Sequence, residues 1–266
     1  MIQHTLPPPV QPPPLLQVEK LYHRDQLRAA RYAALADAEG FSDICFALEA
    51  LGMRLLGHKA TLGQYRHRIA KLAEDSVVLH ELPKTFSQYF TQFSALYSAV
   101  NKARNDAMHT GVYARNVTSS AVELCIGLEE SLMKEEGATQ MKVKDLVVKS
   151  PVSIEPWQPV AYARQLMLTH SFSFLPVFHR EHWELLSELA LAKYLKGPGV
   201  WRELLAATIE HAVNSGLKLT SAKVVGLDDE VASLLAEADD SVVPTLWLVE
   251  DERRALAGVL SPFELM

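Results

Sequence analysis

Arg104, Asn105, Asp106, Ala107, Met108 and His109 set a permanent cation and a group that titrates near neutrality on either side of four residues. That pair can cleave RNA without a metal. A ribose 2′-hydroxyl attacks the adjacent phosphorus, His109 serves as general base or acid, and Arg104 neutralises the charge on the phosphorane. The product carries a 2′,3′-cyclic phosphate, and DNA resists because it lacks the nucleophile. Asn105 stands four residues before His109, on the same helical face, and could orient its ring. Arg104 and His109 themselves lie about 140° around a helix and about 7.5 Å along it. They converge on one phosphate only if the helix breaks near Gly111 or a second copy completes the site across a twofold axis.

The elements that must position these residues are helical. Phe41, Ile44, Cys45, Leu48, Leu51 and Leu55 recur at helical spacing, as do Phe86, Phe90, Phe93, Tyr97 and Val100, then Val117, Ala121, Leu124, Leu128 and Leu132. Gly40, Gly57, Gly63, Pro83 and Gly111 fall where breaks are wanted, so residues 15–138 read as a bundle of four or five helices. Arg66, His67, Arg68 and Lys71 form a basic helical run; Arg66, Arg68 and Lys71 could guide an RNA backbone, or simply form a solvated face. Residues 1–14 hold six prolines at positions 7–9 and 12–14 and read as a flexible tail.

Beyond Met141 short β-branched runs alternate with helices, an α/β pattern. Strands are expected at 144–148, 174–178, 222–225, 245–249 and 256–260, and helices at 160–169, 189–196, 201–214 and 230–237. An imperfect duplication aligns Trp183–Ser187 with Ala257–Ser261, each run delivering a serine to the start of a helix. The fold class is therefore α plus α/β, with a domain boundary at 138/139.

Several classes are disfavoured. A formal net charge of −6 argues against coating nucleic acid through bulk electrostatics. Cys45 and Cys125 are too few and too distant to frame a fold and read as reduced core thiols. His179 and His182 lack a third ligand at metal-binding spacing and read as an exposed turn. The four tryptophans read as packing residues. No run is long and apolar enough to span a membrane, and no secretory leader pattern opens the chain, so a cytoplasmic location is expected.

An all-helical domain whose late helix carries Arg104, the polar Asn105 and then His109 resembles the HEPN superfamily of ribonucleases and RNA-binding proteins, over the first half of the chain. The resemblance implies Arg104 and His109 as the catalytic pair with Asn105 beside them, a homodimer, an RNA substrate, no catalytic cofactor or metal, and a toxin or defence role. The tyrosine that some toxin members place two residues after the histidine is Gly111 here. Many members are inactive, so the same residues could also hold an interface.

The second half resembles a tandem pair of CBS domains, a Bateman module, which implies an adenine nucleotide effector. Gly258, Val259, Leu260, Ser261, Pro262, Phe263 and Glu264 resemble its phosphate and ribose motif: Gly258 opens it, Ser261 bonds phosphate, and Glu264 replaces the usual ribose-binding aspartate. In the first copy Glu184 replaces the glycine and Ala190 the acid, leaving Ser187. Both serines could equally act only as helix caps. The combined expectation is an endoribonuclease regulated by nucleotide, with a non-enzymatic nucleotide-sensing scaffold as the alternative.

Overall fold

The structure, a computed structural model, describes residues 12–110, 114–134, 141–236 and 245–265; the side chains of residues 38, 107–110 and 114–116 lie outside that description. The chain divides into two compact units, Met1–Ala138 and Thr139–Met266. Each is described by itself.

The first unit is helical: α1 (Gln17–Ala36), α2 (Phe41–Leu56), α3 (Leu62–Ala73), a π-type turn at Val77–Glu81 running into the short α4 (Leu82–Thr85), then α5 (Phe93–Thr110) and α6 (Ala114–Met133). The apolar stripes read from sequence meet in one core: Leu27, Ile44, Leu48, Leu51, Ile69, Leu124 and Leu128 are fully buried. Each leucine there is worth roughly 2–5 kcal/mol against alanine. Gly57 closes α2 in the left-handed region at φ 86°, and Thr61 starts α3 in a capping box with Gln64.

Two expectations fail here. The stripe from Phe86 to Val100 is not one helix, because α5 begins only at Phe93; before it the Thr91 N–H is held by the Glu123 carboxylate at 2.9 Å, a side-chain substitute for a helical carbonyl. The proline tail is also anchored at its end. Arg54 donates to the carbonyls of Pro13 (3.1 Å) and Pro14 (3.3 Å), acceptors that a helix or sheet would otherwise have used. The rest of the tail, residues 1–11, lies outside the described residues.

Across the bundle, buried Glu129 on α6 accepts from Arg31 of α1 at 2.9 and 3.1 Å and from Arg28 at 3.4 Å. Arg54 of α2 grips Glu19 of α1 with two bonds of 2.7 Å. Burial keeps Cys45 and Cys125 protonated, pushing the Cys45 thiol up to about 12, so neither supplies a reactive thiolate.

The second unit runs α7 (Val143–Leu146), β1 (Val148–Lys149), α8 (Val160–His170), β2 (Phe174–His179), β3 (His182–Ser187), α9 (Glu188–Leu195), α10 (Trp201–Ala206), α11 (Ile209–Asn214), β4 (Thr220–Ser221), β5 (Lys223–Gly226), α12 (Val231–Ala236), β6 (Trp247–Glu250), β7 (Leu256–Leu260) and α13 (Pro262–Leu265). The duplication is real in topology. In each copy an N-terminal extended segment lies parallel to the first strand of an antiparallel hairpin, with a helix between: Ile154 bridges Val177 before β2–β3, and β5 pairs with β6 before β6–β7. Each sheet also takes a short strand from the other copy, giving orders β2-β3-β4 and β1-β7-β6-β5.

The strand expected at 144–148 is instead a helical turn followed by a two-residue strand. The Lys142 N–H bonds Asp145 at 3.0 Å, closing a cap that starts α7. The helix expected at 201–214 is two, because Ala207 is extended and Thr208 caps α11 by accepting from the His211 N–H at 3.1 Å. His179 is buried, not on the exposed turn; its Nδ1 meets Glu184 at 2.8 Å, and the tight turn uses Arg180 and Glu181 at φ 50° and 67°. Trp157 is exposed, whereas Trp247 is packed in the core.

Candidate functional site

In the helical unit, Arg104 sits two-thirds of the way along α5, one residue past buried Ala103, with 28% of its side chain exposed. A guanidinium on the edge of an apolar seam needs a partner. Glu49 of α2 provides one: Arg104 Nε donates to Glu49 Oε1 at 2.6 Å, and that bond holds the Arg104 pKa above its ordinary value. Sequence reasoning missed Glu49. The signal was present, since Glu49 is the only charge between Asp43 and Arg54 on an otherwise apolar helix.

Asn105 is exposed, and the His109 side chain lies outside the described ones. The backbone of α5 is helical through Thr110, so no break separates Arg104 from His109. Their directions stay about 140° apart on one helix. On α3, Leu62, Tyr65 and Ile69 face the core, Arg66 and Lys71 are exposed, and Arg68 is half-buried. Arg66 points about 140–160° around the helix from the other two, so the three form no single basic stripe.

In the α/β unit the four candidate nucleotide-binding residues part company. Ser261 and Glu264 close on each other at the start of α13: the Ser261 N–H and hydroxyl both donate to Glu264 Oε2, at 2.9 and 2.5 Å, and the Phe263 N–H donates to Ser261 Oγ at 3.3 Å. This is a capping box that occupies both side chains. Gly258 has a packing reason to be glycine. A Cβ there would stand 2.3 Å from Val147 Cγ2 and 2.6 Å from the Val148 carbonyl oxygen, where β1 pairs with β7.

Of the four, Ser187 lines the α9 cavity. It is the N-cap of α9, its Oγ accepting from the Ala190 N–H at 3.1 Å while its own proton stays available to donate. The pocket has a volume of about 530 Å³ and is walled by one face of α9, the Gly197–Pro198 turn, Leu204 of α10, and Ser215, Gly216 and Lys218 before β4. That volume lies within the range of small-molecule sites. Lys193 and Lys218 bring two positive charges, Tyr194 an aromatic ring, and Leu189 and Leu204 apolar surface. Burial raises the Tyr194 pKa, so the ring enters as a neutral phenol. Lys193, Tyr194 and Lys218 were missed in sequence, although Tyr194 follows Ser187 by seven residues and so lies two turns along the same face.

Among the described residues no cluster of three His, Cys, Asp or Glu could hold a metal ion, and no helix is long and apolar enough to cross a membrane.

No protein-family model matches the chain, and no curated protein matches it. Solved structures resemble about half of it. One is a CBS domain-containing protein of unknown function from Bacillus anthracis, 20% identical over 47% of this chain and 90% of that one, with a TM-score of 0.39. A second is a CBS domain pair in complex with 5-methylthioadenosine and S-adenosylmethionine, 16% identical over 48% and 94%, TM-score 0.37. A third is the CBS domain of a bacterial Mg²⁺ transporter in complex with ATP, 21% identical over 47% and 84%, TM-score 0.37. At such identities and scores none of these likenesses bears on chemistry.

Proposed function

We propose that this chain is a non-enzymatic ligand-sensing regulator whose α/β unit binds a phosphate-bearing nucleotide in the α9 pocket. The observation that carries this reading is the pocket itself: about 530 Å³, with a serine, two lysines and an aromatic ring converging on it. The duplicated strand-helix-hairpin topology supports the same reading, as does Ser187, the one CBS-like motif residue on the pocket wall. A ligand that prefers one packing of this unit shifts the protein's equilibrium by its differential affinity, which is the whole requirement for regulation. Equilibrium dialysis of the full-length protein against labelled ATP and AMP tests it. Saturable binding that is lost in Lys193→Glu/Lys218→Glu is expected; no binding of either nucleotide would remove the reading.

A second reading keeps the helical unit as a metal-independent ribonuclease of HEPN type. It is favoured by Arg104, a partly exposed guanidinium aimed by Glu49 from an otherwise apolar seam. With α5 unbroken through His109, such a site needs residues of two copies, and the nucleotide would bias how those copies meet. Labelled RNA incubated with EDTA, with and without ATP, is the test. Cleavage to a 2′,3′-cyclic phosphate that disappears in Arg104→Ala and in His109→Ala supports it, and intact RNA under every condition ends it.

A further inference from the structure

Proteins that recognise the sugar of a nucleotide do so with side-chain acceptors, typically a carboxylate set against the ribose hydroxyls. Among the described residues the wall of the α9 pocket contains no Asp, Glu, Asn or Gln to take two sugar hydroxyls at once; its side-chain hydroxyls are those of Ser187, Ser215 and Tyr194, and Ser187 Oγ already accepts from the Ala190 N–H. Where the helix turns toward the cavity after Ser187 it presents Ala190, which can accept nothing through its side chain. Among the described residues the charges on the wall are of one sign, from Lys193 and Lys218. Ammonium groups act as compact point charges that suit phosphate oxygens and impose little geometry on the rest of a ligand. Pro198 and Leu204 and the ring face of Tyr194 supply flat and apolar surface, which suits a base and makes no hydrogen bond to a sugar hydroxyl.

Resting on the reading that this pocket holds a nucleotide, we infer that it recognises the polyphosphate and the base and is blind to the sugar hydroxyls. Ribonucleotides and their deoxy counterparts are then equivalent ligands. A nucleoside without phosphates is a poor one, because the two lysines lose their counter-charge. The preference is electrostatic and therefore salt-sensitive.

Calorimetric titration of the full-length protein with ATP, 2′,3′-dideoxy-ATP and adenosine tests this. ATP and dideoxy-ATP are expected to bind within about threefold of each other, adenosine at least about tenfold more weakly. Lys193→Ala/Lys218→Ala is expected to weaken ATP at least about tenfold while leaving far-UV circular dichroism unchanged, since both lysines are exposed. Dideoxy-ATP binding tenfold or more below ATP overturns sugar blindness while leaving the nucleotide pocket standing, and adenosine matching ATP overturns the role of the lysines. Failure of all three ligands to bind removes the nucleotide pocket itself.

Discussion

Removal of Glu129 gives a direct measure of what holds the first helix of the bundle to the last. Its carboxylate is 8% exposed, takes a two-bond grip from Arg31 at 2.9 and 3.1 Å, and meets Arg28 at 3.4 Å. Glu129→Ala leaves two guanidiniums facing a void with no anion. Breaking one side of a buried pair costs about 3–5 kcal/mol. Arg28 and Arg31 retain 15% and 17% exposure, enough for partial hydration, so the lower end of about 3 kcal/mol is expected. With a urea dependence of about 2 kcal/mol per molar, the midpoint falls by about 1.5 M. Arg28→Ala, which removes only the longer contact, is expected to cost roughly 1 kcal/mol. The four tryptophans at 157, 183, 201 and 247 all belong to the α/β unit, so two probes separate the units. Circular dichroism at the helical band should lose amplitude at lower urea in Glu129→Ala, while tryptophan emission keeps its midpoint. A loss below about 1 kcal/mol, or an equal shift in both probes, would refute the account.

Two further outcomes follow from other contacts. Gly258→Ala drives a Cβ into the backbone of β1, so the β1–β7 pair must separate at a cost of about 1–3 kcal/mol, read as an earlier tryptophan transition; ATP affinity should be unchanged, and a stable variant that had lost ATP would restore Gly258 to the binding motif. Acid should destabilise the helical unit in two steps. Burial depresses the His23 pKa below its ordinary 6.5, so the stability it contributes is present above 6.5 and is lost below it, as pH falls through the depressed folded value. The Arg54 bonds and then the Leu16 N–H hold the Glu19 carboxyl near 2, so its contribution is present above about 4.5 and drains away below. Urea midpoints at pH 7.5, 5.5 and 3.5 check this, and His23→Leu should flatten only the first step. A wild-type midpoint that holds steady from pH 7.5 to 5.5 would contradict the His23 assignment.

What the chain discloses before folding depends on how far a signal travels. Period-3.6 stripes such as Ile44, Leu48 and Leu51 are local and strong, so the bundle and its core were legible. The strands at 174–178 and 183–187 were legible as short local apolar runs, but their pairing was not announced, because the turn uses Arg180 and Glu181 at positive φ in place of Asn-Gly. The errors lie where one hydrogen bond outweighs a pattern: Thr208 breaks a continuous helical run, and Asp145 turns a β-branched stretch into a helical turn.

The sites were harder to read because they are defined by pairs distant in sequence. Glu49 and Arg104 are separated by 55 positions, so although Glu49 stands out as a charge on an apolar helix, its local sequence does not name Arg104 as the partner. Lys218 reaches the pocket from beyond α11, while Ser187 reaches it from the end of β3. Motif spacing favoured Ser261 over Ser187, and only tertiary structure reverses that order. Ser261 is closed against Glu264 three residues away, whereas position 190, three residues after Ser187, is an alanine that cannot close the box and leaves the hydroxyl facing a cavity. The same alanine that weakens the motif in the first copy therefore leaves its serine hydroxyl on a cavity wall instead of closed against a carboxylate.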